Sequence, residues 1–217
     1  MSHARPTLPY WAPMILFGVM TVGETYVPLA WYPYAYAVKA LLVTAALVAF
    51  REPLADIKLD ARLILPSIAV GLVVCVLWVT MDEYLAYPRI GSRQAFDPRP
   101  LEGSSVWAVF LGVRLYGLVL MVPVMEEMFW RSFLLRYLTH HDFRRLPVGT
   151  FSASALAVVT LASAIAHPEW PVALVASLAY AFWLRSTRSL FGTIVAHAAT
   201  NAALGGYVLA TGKWQYW

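Results

Sequence analysis

The sequence predicts an all-α fold, a polytopic transmembrane bundle of seven or eight helices. Three observations carry that expectation. The 217-residue chain is 60% hydrophobic and only 13% charged, against about 25% charged residues in soluble domains; its mean hydropathy is +0.64. Its apolar residues fall in long runs, and a crossing takes about 20 mainly apolar residues. Nine Trp and twelve Tyr supply the amphipathic rings that collect at the headgroup level.

The runs follow in order. Leu8–Val22 comes after a short tail with His3 and Arg5. No small-residue cleavage site follows it, so it reads as a retained span and not a secretory signal. Ala35–Phe50 and Leu63–Met81 are the next two. Cys75, the single cysteine, lies in the third run; it has no partner for an internal disulfide and reads as a small buried hydrophobe. Residues 82–105, with Asp82, Glu83, Arg89, Arg93, Asp97, Arg99 and Glu102, form one substantial polar loop. It reads as a solvated connector without a catalytic pattern. Val106–Leu138 is too long for a simple span and contains Pro123. It reads as one kinked helix, because proline is tolerated in membrane helices. Val148–Ala166, Val172–Leu184 and Leu190–Thr211 complete the set; the short Val172–Leu184 either borrows length from its flanks or is partly re-entrant. Gly192, Gly205 and Gly206 suit close helix packing. There is no internal repeat or low-complexity tract. Residues 1–217 therefore read as one integral membrane domain.

A net charge of +4 and a pI near 9.3 raise the question of nucleic acid, but the basic residues form no patch. They sit in short loops, as membrane topology requires, and nucleic acid is excluded as a partner. With seven spans, Arg5, then Arg51, Lys58 and Arg62, then Arg136, Arg144 and Arg145, then Arg185 and Arg188 fall on one side. The positive-inside rule makes that side cytoplasmic and places the amino terminus there. Arg89, Arg93, Arg99 and Lys213 remain opposite, balanced by acids in the large loop.

The informative stretch is Glu126-Glu127-Met128-Phe129-Trp130-Arg131, three charges in an apolar run. Charge inside a membrane is expensive and marks a functional site by default. Glu127 and Arg131 are i,i+4 with the acid first, the favoured order for a helical ion pair, and in lipid pairing is nearly forced. Glu126 points about 100° away around the helix. It must meet water, a metal or another polar side chain, and it is the candidate general base.

Other polar residues recur in later runs. His167 closes the fifth, and alone it reads as interfacial. His197 and Asn201 are i,i+4 on one face of the last run, either as interhelical glue or as metal ligand and oxyanion donors. Counted inward from the basic side at 1.5 Å per residue, Glu126 lies about 18 Å from Leu138, His167 about 28 Å from Val148 and His197 about 12 Å from Ser189. His167 is the outlier, and a later helix start would reduce its depth. His140 and His141 read as solvated. Arg114 reads as snorkelling or as paired within the bundle, and Glu24, Asp82 and Glu83 as cheap charges at span ends. No His-Glu-x-x-His pair is present, which excludes a zincin; no Gly-x-Ser-x-Gly elbow occurs, and no Ser/Lys or Asp/Asp intramembrane protease pattern.

Taken together, Glu-Glu-x-x-x-Arg, then a lone His 36 residues after Arg131, then His-x-x-x-Asn resemble the CPBP intramembrane proteases, the type II CAAX prenyl endopeptidases and their bacterial relatives in bacteriocin processing and immunity. The resemblance covers a core of about residues 106–209. The small size and polar loop are also similar to the exosortase-associated CAAX-protease-related subgroup. Two departures stand out: the family's Phe-x-x-x-His reads Ser163-Ala164-Ile165-Ala166-His167, and Ser132 stands where members often carry Gly.

The resemblance implies peptide-bond hydrolysis by an activated water. Glu126 is the base, His167 positions the water and shares in proton transfer, and His197 and Asn201 stabilise the oxyanion. Glu127 and Arg131 then brace the helix. A second version places Zn2+ among Glu126, His167 and His197, so no cofactor is certain. The implied partners are membrane lipid and a membrane-tethered, CAAX-like protein or peptide, in a bacterial-type inner membrane; the oligomeric state is undetermined by sequence. The competing class is a non-catalytic scaffold or immunity-type binding protein that keeps the motif as a packing network. A proton-coupled transporter is disfavoured by the missing inverted repeat.

Overall fold

Serines fix where three of the long helices begin. Ser104, Ser152 and Ser189 each hold extended backbone and accept a bond from the N–H three residues on, the geometry of a helix N-cap. The computed structural model describes residues 7–91 and 96–216; His3, Arg5 and Arg93 lie outside them. Among the described residues there are seven long helices and no strand. They are α1 Leu8–Glu24, α2 Tyr32–Ala49, α3 Ile64–Tyr84, α4 Ser105–Tyr137, α5 Ala153–Ile165, α6 Trp170–Thr187 and α7 Leu190–Thr211. Pro9, Pro33 and Pro171 sit in first turns, where the missing N–H costs nothing. Arg188 (φ 55°) and Gly212 (φ 70°) end α6 and α7 in the left-handed region.

The helices coincide with the seven apolar runs, with two instructive differences. The short run grows to a full helix, Trp170–Thr187, because its flanks continue it; it borrows length from them. The fifth run becomes helical only at Ala153, since Gly149 (φ 82°) turns the chain and Ser152 then caps. Leu29–Ala49, Ala61–Tyr84 and Ser105–Tyr137 are long and apolar enough to cross a membrane, and Ala153–Ile165 is apolar but shorter. Leu41, Leu65, Val73, Leu120 and Val158 stand exposed on the outer faces. That surface suits lipid and would be an aggregation liability in water. The protein is an integral membrane protein.

The segment Ser105–Tyr137 is one continuous helix, in agreement with the reading of Val106–Leu138 as a single element. Two π-turns interrupt it, Gly117–Met121 and Met128–Leu134. Each inserts a residue into the ladder and rotates the next turns about the axis, a device frequent at functional sites. They flank the short α-helical piece Val122–Glu127 that presents the paired glutamates.

Helix α7 lies centrally, against α3, α4 and α6. Two glycines set the tightest approaches. A Cβ on Gly71 would stand 2.2 Å from the Ala196 carbonyl oxygen, and one on Gly117 would stand 2.1 Å from the Tyr36 hydroxyl. Gly192 is also tight, 3.2 Å from Ser67 Oγ, whereas Gly206 has open space and no packing duty. Cys75 is buried and free.

Three further expectations are revised. Arg136 is not a loop residue: it is buried in the last turn of α4, paired with Asp56 at 2.5 Å. Glu24 is not a cheap surface charge: it is buried and paired with Lys39 at 2.5 Å. The polar connector is not merely solvated. Arg89 bridges Asp82 and Glu169, each at 2.8 Å, and Trp170 Nε1 donates to the Pro88 carbonyl at 3.0 Å. The stretch 87–91 is thereby clamped over the turn that carries His167.

Candidate active site

Glu127 is the hub of the deep wall. Its side chain is fully buried. One oxygen faces Arg131 Nε at 3.2 Å and the other accepts from His197 Nδ1 at 2.8 Å. The Arg131 contact is Coulombic, because the Nε–H is not aligned on the oxygen. Arg131 extends the wall to α6, where its Nη2 donates to the Ser177 hydroxyl at 3.2 Å and lies 3.4 Å from the Ser177 carbonyl. Tyr180 completes it. Its ring stacks on His197 at 5.1 Å and 19° and lies 5.5 Å from the Arg131 guanidinium. Its hydroxyl donates to Thr200, which in turn donates to the Gly71 carbonyl. A buried charge needs such partners on every side, and α4, α6 and α7 each provide one.

Glu126 differs in kind from its neighbour. It is 8% exposed and forms no hydrogen bond or ion pair among the described residues. It lines a cavity of about 530 Å³ that Arg131, His167, His197 and Asn201 line as well. A cavity of that size is in the range of small-molecule sites.

Both histidines are held by Nδ1. In His167 it lies 2.8 Å from the Ser163 carbonyl oxygen, which only accepts, so Nδ1 carries the proton. In His197 the acceptor is the Glu127 carboxylate, with the same consequence. Neutral, each ring therefore has Nε2 as its acceptor nitrogen. Ser163, where the family pattern has an aromatic, supplies that carbonyl and itself lines the cavity. The later start of α5 narrows the depth mismatch: His167 now stands about 21 Å along from Ala153, and Glu126 about 16 Å from Tyr137.

Asn201 is anchored by a consequence of the first π-turn. The Val122 N–H bonds the Gly117 carbonyl, five residues back. In that register the Leu118 carbonyl would take its bond from residue 123, which is proline and has no N–H. Asn201 Nδ2 supplies the bond at 2.8 Å. One of its two amide hydrogens is spent there and one remains. The other departure, Ser132, also has a duty: its hydroxyl bonds Asp56 and Arg136 at the far end of α4.

Among the described residues no three His, Cys, Asp or Glu side chains are grouped as a metal requires. Glu126, His167 and His197 share a cavity without forming such a group.

Sequence reasoning missed Lys39 and undervalued Glu24 and Arg114, which line the opposite end of the same cavity. Lys39 interrupts the apolar run Ala35–Phe50, and the rule that raised Glu126, an ionisable group inside a span, applied equally to it.

Residues 105–203 match the family model described as type II CAAX prenyl endopeptidase Rce1-like. No curated protein and no solved structure gives a significant match. The matched segment holds Glu126, Glu127, Arg131, His167, His197 and Asn201.

Proposed function

We propose that this membrane protein, whose residues 105–203 fit the type II CAAX prenyl endopeptidase Rce1-like family, is an intramembrane endopeptidase that hydrolyses a peptide bond of a lipid-tethered, CAAX-like protein. The observation that carries the reading is Glu126: a carboxylate with no hydrogen bond or ion pair among the described residues, lining the same cavity as two histidines whose Nδ1 atoms are already engaged. In this reading Glu126 takes a proton from a water, and the hydroxide attacks the carbonyl carbon. His167 accepts from the same water at Nε2 and holds it in line. Charge develops on the carbonyl oxygen beside α7. There the remaining Asn201 amide hydrogen donates to it, and so does His197 when protonated at Nε2 and backed by Glu127. The tetrahedral intermediate collapses, the C–N bond breaks, and the proton on Glu126 passes to the leaving amine. Glu127 and Arg131 take no proton; they hold His197 and the helix in place. The basic loops support a cytoplasmic amino terminus in a bacterial-type inner membrane.

The test is cleavage of a farnesylated peptide ending in Cys-aliphatic-aliphatic-Met by the purified protein in proteoliposomes. The wild type should release the terminal tripeptide, and Glu126→Gln should release none at the same thermal midpoint. Undiminished cleavage by Glu126→Gln would refute the assignment.

A further inference from the structure

His167 and His197 line one cavity but are held in unequal ways. His197 lies within α7, where the helix ladder fixes its backbone. His167 lies past the end of α5, in the turn 166–169 that leads into α6. Its N–H bonds the Ala164 carbonyl at 3.0 Å, its Nδ1 is tied back to Ser163, and its ring meets Trp78 edge-on at 6.0 Å. A side chain beyond the last regular turn is placed only as well as the chain that follows it, and a reacting group needs that support to be rigid.

The stretch 87–91 provides it. Three contacts join this stretch to residues 168–170, directly after His167. The Ile90 N–H donates to the Pro168 carbonyl at 3.4 Å, Trp170 Nε1 donates to the Pro88 carbonyl at 3.0 Å, and Arg89 Nη1 donates to the Glu169 carboxylate at 2.8 Å. Arg89 is the charged member. Its Nη2 also donates to both oxygens of Asp82, at 2.8 and 2.9 Å, and its guanidinium lies 5.8 Å from the Tyr87 ring.

The two carboxylates are buried although the cation is not. The side chains of Asp82 and Glu169 are each 2% exposed, that of Arg89 43%. An exposed pair contributes little, but taking the cation from a buried carboxylate leaves an uncompensated charge. Asp82 would keep the Tyr87 hydroxyl. Glu169 has no other side-chain partner among the described residues, and its own carbonyl takes the Val172 and Ala173 N–H groups that start α6. Without Arg89, the Glu169 carboxylate must move or take a proton, and its backbone is two residues from His167. A loop that merely folds could use the same bonds. What gives them a bearing on the reaction is where they end: Ile90 and Gly91 line the cavity beside His167 and Pro168, while Arg89 itself is not among the lining residues.

We propose that Arg89 is a positioning residue for the hydrolysis: by holding Glu169 against Asp82, it fixes the turn that aims His167 at the water activated by Glu126. This rests on the endopeptidase reading and deepens it. Arg89 touches neither water nor peptide and acts through His167.

The experiment uses the full chain in two assays. The first is turnover of the farnesylated Cys-aliphatic-aliphatic-Met peptide in proteoliposomes, per folded molecule. The second needs no substrate: carbethoxylation of the protein by diethyl pyrocarbonate, read by mass spectrometry at His167 and, as internal control, at His197. Arg89→Gln should lower kcat by about tenfold or more with KM nearly unchanged, since misplacing a reacting group by about 1 Å costs up to about 10²-fold. Arg89→Lys should fall between the two. In a His167→Ala background Arg89→Gln should lower kcat no further, as expected when one residue acts through the other. Labelling of His167 should change several-fold in Arg89→Gln while that of His197 stays as in the wild type. Unchanged His167 labelling, an equal change at both histidines, a loss confined to KM, or losses that multiply in the double variant would each overturn the assignment and leave the endopeptidase reading standing. A wild type that cleaves nothing, with His167 labelling still selectively changed in Arg89→Gln, would overturn the endopeptidase reading and leave the brace on His167 standing. If Arg89→Gln fails to fold, Arg89→Lys, which keeps the charge, carries the same comparisons.

Discussion

The wall behind the cavity and the surface facing it are built from adjacent residues to opposite rules. In the wall, Glu127, Arg131 and His197 satisfy one another, with Ser177 and Tyr180 closing the remaining sides. On the surface, Glu126 has no hydrogen bond or ion pair among the described residues, and it lines the cavity together with both histidines. Chain neighbours one helical step apart thus divide into a paired carboxylate and one with no hydrogen bond or ion pair among the described residues. A membrane interior forces this division: a reactive carboxylate can be left bare only where the charges behind it are already balanced.

The comparison can be broken most severely at the wall. Glu127→Ala leaves Arg131 buried without its acid and should cost about 3–5 kcal/mol, read as a loss of folded protein in a denaturant or thermal titration in detergent. A small shift would mean the network is not what holds α4 to α6 and α7. Next, Asn201→Ala removes an oxyanion donor and should lower kcat by about 10²–10³-fold with little change in KM. A pure KM effect would confine Asn201 to bracing the Leu118 carbonyl. Behind the wall, Gly71→Ala forces a methyl into the Ala196 carbonyl beside Thr200 and should destabilise by about 1–3 kcal/mol, read as a lower thermal midpoint. Ser177→Ala trims one bond to Arg131 and should cost about 1 kcal/mol, since the Ser177 carbonyl remains within reach. Last, a strong chelator should leave the rate unchanged, because the site's acid and histidines are not grouped as metal ligands. Inactivation reversed by added zinc would show that they gather in another conformation.

Much of the arrangement was legible in residue spacing. The i,i+4 rule reached the Glu127–Arg131 pair, and the apolar runs located the helices. Spacing does not carry the partner across helices. That His197 is held by Glu127, and that Asn201 repairs a carbonyl left bare by Pro123 in a π-register, are tertiary facts. Pro123 and Asn201 are 78 residues apart in sequence, and no local pattern links them. Glu24 failed for the same reason: a charge at a helix end is cheap only if that end is wet, and Lys39 draws it into the bundle. His167 was placed too deep because the fifth helix was begun at Val148, before the left-handed glycine and serine cap that start it.

The division of labour between the two glutamates is best tested by Glu126→Gln and Glu127→Gln side by side, each measured for peptide turnover and for thermal midpoint. The account predicts that Glu126→Gln loses turnover and keeps its midpoint, while Glu127→Gln loses midpoint first. Turnover retained by Glu126→Gln, or an equal fall in midpoint for both variants, would contradict it.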